Sequence, residues 1–340
     1  MENRVIIIAE AGVNHNGDMA LAKKLIDTAV ECGVDYIKFQ SFNAKNLVTR
    51  TAKKAAYQNR NIGDKELTQY EMLKKLELSE SDHHELIKHC ESKNVKFWST
   101  AFDLESLDLL YNLGFTLAKV PSGEITNLPY LRRMAALFTR IIISTGMSTL
   151  AEVEAAVNAL LDAGAKRENL SLLHCTSEYP APFEEVNLLA MVRMKQHFNL
   201  PVGYSDHTQG IAIPIAAVAM GATIIEKHFT LDRNLPGPDH KASLEPYELK
   251  LMVESIRNVE RAFGNGEKVP TQSEMSNLVI ARKSIVARCQ ILAGETITID
   301  NITVKRPGTG ISPMEIDSVI GKKASVDIHP EQPITISMLT

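Results

Sequence analysis

Short runs rich in Val, Ile and aromatic residues recur along the first three quarters of the chain, and longer segments with apolar positions three and four apart separate them. Residues 4–10 (RVIIIAE), 35–40 (DYIKFQ), 95–100 (VKFWST), 116–121 (TLAKVP), 140–145 (RIIIST), 170–175 (LSLLHC), 200–205 (LPVGYS) and 222–228 (ATIIEKH) read as strands. Segments 18–32, 81–93, 149–163 and 210–220 between them carry a helical period, and 245–263 follows the last strand. Alternation of this kind indicates parallel strands joined by helices. Eight strand–helix pairs within residues 1–265 predict a (β/α)8 TIM barrel; the strand count decides against a doubly wound sheet.

Two stretches break the rhythm. Residues 41–79 make a connection far longer than the roughly 2 to 6 residues usual between a strand and a helix, which suggests an excursion over the barrel mouth. Residues 266–279 are polar and lack an apolar period, so they read as a linker. Residues 280–340 are strand-like and turn-rich and predict a small β-rich second domain.

Composition narrows the function classes. Among 340 residues the formal net charge is −4, with no basic stripe to attract a polyanion, so nucleic acid is a poor partner. The four cysteines, Cys32, Cys90, Cys175 and Cys289, form no C-x-x-C pair and read as reduced thiols of a cytoplasmic protein. The apolar run at the start is far below the roughly 20 residues that span a bilayer, so no membrane attachment is expected.

In a barrel of this type the reacting groups come from the C-terminal ends of the strands, and here those ends are strongly polar. Lys38 and Lys119 close otherwise apolar runs, where an unpaired ammonium would cost several kcal/mol, so each requires an anion. Ser122, Ser144 and Ser205, with the amides of PSGE and STGM, offer donors to a phosphate or carboxylate. His207 and His228 end strands seven and eight, where both rings can converge on one divalent cation and leave positions open for water and substrate. Glu10, Glu124 and Asp239 are available as base, acid or hydroxyl acceptor. The constellation suits a metal-assisted reaction between a small anion and a polyhydroxylated partner.

The blocks AEAGVNHNGD, IKFQSF, FWSTAFD, KVPSGEITNLPYL, IIISTGM, LHCTSEYPAPFEEVNL, GYSDHT, EKHFTLDRNLPGPDH and VKRPGTGISP, in this order, resemble the bacterial sialic acid synthase family. The resemblance implies a (β/α)8 barrel followed by a small antifreeze-like (SAF) domain, in a domain-swapped homodimer in which that domain covers the partner's site. It implies condensation of phosphoenolpyruvate with the open-chain aldehyde of an N-acetylated mannose-type sugar, assisted by Mn²⁺ or Mg²⁺ on His207 and His228. Lys38, Lys119, Ser122, Ser144 and Ser205 match phosphoenolpyruvate-binding positions, and Ser177 stands where some members have Asn. Gln40, Glu124, Tyr179 and Asp239 match sugar-binding positions. Glu10 matches a strand-one carboxylate that orients water or relays a proton, and Arg306 matches an arginine delivered to the N-acetyl group by the partner subunit. Ala101 departs from the Pro common in the family, which implies a modestly more mobile loop.

The acceptor implied first is N-acetylmannosamine, giving N-acetylneuraminate. The alternative is a legionaminate synthase acting on 2,4-diacetamido-2,4,6-trideoxymannose. The stretch KKAAYQNRNIGD followed by YEMLKKLEL resembles these two branches more than the pseudaminate one. A non-catalytic sugar- or ice-binding role is disfavoured, because Lys305 and Arg306 interrupt the flat, weakly polar face that ice binding needs.

Overall fold

The computed structural model describes residues 4–62 and 68–340, which cluster into two compact units divided between Phe263 and Gly264. In the first unit, strands β1 (Ile6–Gly12), β2 (Tyr36–Ser41), β3 (Lys96–Ala101), β4 (Leu117–Val120), β5 (Arg140–Ser144), β6 (Leu170–Cys175), β7 (Val202–Asp206) and β8 (Ile224–His228) form one sheet. Its order is β3-β2-β1-β8-β7-β6-β5-β4, and every ladder is parallel. All eight expected strands are present in a nearly closed barrel. Their ends move by one or two residues where the chemistry demands it; β7, for example, begins after Pro201, which has no N–H to give a ladder.

Helices α1 (Met19–Cys32), α2 (Ala44–Leu47), α3 (Ala56–Ile62), α4 (Gln69–Lys74), α5 (Glu80–Ser92), α6 (Leu104–Asn112), α7 (Leu128–Leu137), α8 (Leu150–Asp162), α9 (Leu188–Phe198), α10 (Ala212–Ala219) and α11 (Pro246–Ala262) connect and follow the strands. Their starts are written locally. Asp18 accepts from the amides of Ala20 and Leu21, while Ser79 with Asp82 and Thr149 with Glu152 form capping boxes. Helices α2, α3 and α4 all lie in the long 41–79 connection. Met72 within α4 and Leu76 just beyond it pack with Val13 and Phe42 in a small core of their own.

The barrel interior is layered by the two-residue period of its strands. Ile8, Trp98, Ile142, Leu173 and Ile224, with Tyr36 and Leu117 against them, make an apolar plug. Their neighbours Ile7, Ile37, Ile141, Leu172 and Ile225 point the other way and pack on the helices. Two residues after each plug residue comes a polar group or a thiol on the same inner face: Glu10, Thr100, Ser144, Cys175, Glu226, Lys38 and Lys119. The strands therefore carry one dry layer and, directly above it, one chemical layer.

No ladder joins β3 to β4. Across that gap the Trp98 Nε1–H donates to the Leu117 carbonyl at 3.0 Å. Ala101, expected in a mobile loop, is the buried last residue of β3, and its carbonyl accepts from the Tyr130 hydroxyl at 2.7 Å, so the position is held rather than loosened.

The second unit has an isoleucine-rich core of its own, including Ile285, Ile291, Ile297, Ile302, Ile328 and Ile334. Strands β9 (Ser284–Ala287) and β10 (Ile302–Lys305) pair antiparallel, and isolated bridges hold most of the rest. Helix α12 (Met275–Ala281) begins inside the segment expected to be a linker, because Leu278, Val279 and Ile280 supply a short apolar turn. A single-turn helix, α13 (Ile316–Val319), adds Val319 to this core. No helix among the described residues is long and apolar enough to cross a membrane.

Trp98→Phe should lower the unfolding free energy by about 2 kcal/mol, since it leaves the Leu117 carbonyl without its donor at the barrel seam. Trp98→Ala should cost about 3 to 5 kcal/mol. Urea titrations followed by circular dichroism would check both, and a Phe variant as stable as the parent would remove the seam's importance.

Candidate active site

A cavity of about 330 Å³ opens above the chemical layer, lined by Glu10, Lys38, Gln40, Thr100, Lys119, Ser122, Ser144, Ser177, Tyr179, Ser205, His207, Glu226 and His228 among others. Four buried charges form its floor. Lys38 Nζ lies 2.7 Å from Glu10 Oε2 and 3.7 Å from Glu226 Oε1, and it donates to Thr100 Oγ1 at 2.9 Å. Lys119 Nζ donates to Glu226 Oε1 at 2.6 Å, and Ser205 Oγ donates to the same oxygen at 3.2 Å. Gln40 Nε2 donates to Glu10 Oε1 at 3.1 Å. The anion that each lysine was expected to require is therefore present within the protein: Glu10 and Glu226 supply it.

The electrostatics of the floor are uneven. Burial raises the Glu226 carboxyl, but Lys119 and then Lys38 outweigh it and hold the group at about 2. Burial also raises Glu10; Lys38 offsets this incompletely, and nearby Glu226 adds to it, so this carboxyl ends above its ordinary range. Lys119 is held above the usual ammonium value, because Glu226 and Glu10 overcome burial. The two carboxyls are thus pushed in opposite directions by their surroundings, Glu226 down and Glu10 up.

Serine hydroxyls and one thiol form the wall. Ser122 Oγ lies 3.0 Å from Ser144 Oγ, and both are 3.3 Å from Cys175 Sγ. The amide of Gly146 donates to Ser122 Oγ at 3.1 Å. A Cβ at Gly146 would meet Ser177 Oγ at 2.3 Å, Cys175 Sγ at 2.7 Å and Ser122 Oγ at 2.8 Å, so only glycine lets the backbone come this close.

Opposite stand the two histidines, their ring centres 5.5 Å apart. The His207 Nδ1–H donates to the Thr176 carbonyl at 2.5 Å, which leaves the Nε2 lone pair free. His228 Nδ1 is buried without a hydrogen-bond partner, 3.9 Å from Asp239 Oδ2. Burial lowers His207 to about 4; burial and then His207 lower His228. Both rings are neutral at pH 7, the form that ligates metal. Asp239 is pushed up to about 7 by burial and Glu10. Tyr179 packs 4.1 Å from the His207 ring and edge-on to His228, and Tyr57 of α3 covers it at 4.9 Å.

Most residues singled out in the sequence meet here, but three do not line the cavity. Asp239 stands behind His228. Glu124 is half-buried, accepts from Asn127 Nδ2 at 2.6 Å, and is raised by burial. Arg306 is exposed on the second unit. Glu226 and Thr100 belong to the site although no role was given to them. The same two-residue alternation could have found both, since Glu226 lies between Ile224 and His228 on the inner face and Thr100 follows Trp98. Tyr57 carried no such signal, because it reaches the cavity from the long connection. A broader depression of about 970 Å³ lies beside the cavity between α8 and α9, but it has neither the lysines nor the histidine pair.

Residues 25–268 match the model of the NeuB family, and residues 282–340 match the SAF domain. The chain belongs to the NeuB family, that of the sialic acid synthases. Full-length relatives agree. The N,N'-diacetyllegionaminic acid synthase of Campylobacter jejuni is 55% identical over 97% of this chain and 98% of its own length. The protein of the same name from Legionella pneumophila is 49% identical over 95% and 91%. Among solved structures, the N-acetylneuraminic acid synthetase of Leptospira borgpetersenii superposes with a TM-score of 0.70 at 36% identity, covering 81% of this chain and 90% of that one. This NeuB-family chain is a phosphoenolpyruvate-dependent sugar-acid synthase, a transferase.

Gly146→Ala should raise the KM for phosphoenolpyruvate about tenfold, equivalent to about 1.4 kcal/mol of binding, with little change in melting temperature. An unaltered KM in steady-state assays would show that the wall around Ser122 and Ser177 does not hold this substrate. Acid should also weaken the fold. The imidazoles of His15, His83, His174, His207, His228 and His240 are all lowered by burial, and they outnumber the raised carboxyls of Glu10, Glu124 and Asp239. The unfolded chain then binds more protons as pH falls from about 6.5 towards 4, so stability present above that window is lost within it. Urea midpoints measured at stepped pH should fall across this range; a flat profile would contradict the neutral imidazoles.

Proposed function

We propose that this synthase condenses phosphoenolpyruvate with 2,4-diacetamido-2,4,6-trideoxymannose, giving N,N'-diacetyllegionaminate and phosphate. This replaces the N-acetylmannosamine expected first from the sequence. Relatives named for the legionaminate product are 55% and 49% identical, against 36% for the solved structure named for the neuraminate one. The observation that carries the choice is the wall contributed by the 41–79 connection. There Ala55, Ala56 and Tyr57 face the cavity, together with Phe102 and Met147. A 6-deoxy carbon fits an apolar wall, whereas a 6-hydroxyl would leave water without gaining a partner.

In this reading Lys38 and Lys119 turn from the glutamates towards the phosphate and carboxylate of phosphoenolpyruvate, with Ser122, Ser144, Ser177 and Ser205 donating to its oxygens. Gln40 and Tyr179 orient the sugar, and Arg306 of a second copy meets its N-acetyl group in a swapped homodimer. The alkene carbon attacks the aldehyde carbon. Water adds to the oxocarbenium-like carbon that results, and Glu10 takes one of its protons and returns it to the new alkoxide. The remaining hydroxyl proton leaves with phosphate as the C–O bond breaks, so atoms and charge balance.

The free Nε2 of His207 and the neutral His228 ring, whose centre lies 5.5 Å from that of His207, fit a divalent cation such as Mn²⁺ or Mg²⁺. When bound, that ion supplies Lewis-acid polarisation of the aldehyde oxygen.

The test is phosphate release by metal-stripped protein, with Mn²⁺ added back, in parallel reactions with the two sugars. A kcat/KM at least about 100-fold higher for the diacetamido sugar is expected from burial of an unpartnered hydroxyl. Equal rates, or a preference for N-acetylmannosamine, would overturn the acceptor while keeping the family chemistry; undiminished release without metal would remove the cation.

A further inference from the structure

Directly behind the histidine pair, on the outer face of the barrel wall, lies a second pair of charges that the reaction does not touch. Asp206 and Lys227 are fully buried and are register partners on β7 and β8. Lys227 Nζ donates to Asp206 Oδ2 at 2.5 Å and to the Thr208 carbonyl. Asp206 also accepts from the Thr208 amide at 2.9 Å and from its hydroxyl at 3.1 Å. His207 is the residue between Asp206 and Thr208, and His228 directly follows Lys227.

A buried ion pair is a poor way to gain stability, since apolar side chains of similar volume often do as well or better in the same space. What apolar packing lacks is direction. Here every bond of the network ends on a residue adjacent to a histidine, so the backbone on both sides of His207 is fixed to the strand that carries His228. The inner face adds two further bonds to the same turn: the Ala181 amide donates to the His207 carbonyl at 2.9 Å, and the His207 ring donates to Thr176.

We propose that Asp206, Lys227 and Thr208 are positioning residues that fix the two imidazoles at the spacing a divalent cation needs, acting through the backbone and never touching substrate. This inference rests on the metal reading of His207 and His228. Outer-shell partners of metal ligands typically change affinity by about 10- to 100-fold when lost.

The experiment is a Mn²⁺ titration of the metal-stripped full chain, with free Mn²⁺ followed by electron paramagnetic resonance, beside a thermal melt of the same samples. The double variant Asp206→Asn, Lys227→Met removes both charges together and keeps an acceptor for the Thr208 amide. It is expected to bind Mn²⁺ about tenfold more weakly or worse while remaining folded. A lowered melting temperature with Mn²⁺ affinity within twofold of wild type would assign the pair a purely structural role and overturn the proposal. Should the double variant not fold, Thr208→Val, which deletes a single bond to Asp206, decides: a few-fold weaker affinity supports positioning, and an unchanged one overturns it. Wild-type protein that binds no Mn²⁺ at all would instead remove the metal reading itself, and this proposal with it.

Discussion

Everything at the mouth of this barrel depends on a two-residue offset between a dry layer and a charged one. Ile8, Trp98, Ile142, Leu173 and Ile224 close the interior, and the next inward positions carry Glu10, Lys38, Lys119 and Glu226. Such charges are tolerable in a low-dielectric interior only as a set, in which the ammonium groups and carboxylates cancel, Thr100 accepts from Lys38 and Ser205 donates to Glu226. Removing any one of the four leaves its partner buried and uncompensated. The parallel register is equally constrained, because a slip of one residue would drive the plug outwards and the charges into the helix layer.

This offset explains how much of the site could be read from the sequence. The runs ending in Lys38, Lys119, Ser144, Ser205 and His228 announced both a strand and its polar tip, so the barrel and most lining residues followed from periodicity. Pairing did not follow, since Glu226 reaches Lys119 from a strand 107 residues further along the chain. The contribution of Ala55, Ala56 and Tyr57 was equally hidden, because a connection has no period to say which residues turn inward. Ala101 illustrates the opposite error: a rule about the preceding residue and φ said nothing of the Tyr130 hydroxyl that fixes its carbonyl. Helix α12 was missed because its apolar turn is a single one in a polar stretch.

The charge arrangement also bears on the proposed binding of phosphoenolpyruvate. The floor is formally neutral, so on that reading an incoming phosphate competes with Glu10 and Glu226 for the same ammonium groups. Glu226 is held at about 2 by the lysines, whereas burial leaves Glu10 above its ordinary range. Two chemically identical side chains are thereby given different tasks by their surroundings. The neighbouring histidines show the same economy from the other direction, with burial keeping them neutral and a single backbone carbonyl choosing the His207 tautomer.

The tryptophan that bridges the barrel seam is the only one in the chain, and the Lys38 ammonium sits 5.8 Å from its ring centre. The molecule therefore carries a single indole, and it lies beside a lysine of the cavity floor. On the proposed reading, movement of that cation towards a bound anion would alter the local field on the indole, and emission from the unlabelled protein would record occupancy at the cavity floor, with no second tryptophan to dilute the signal.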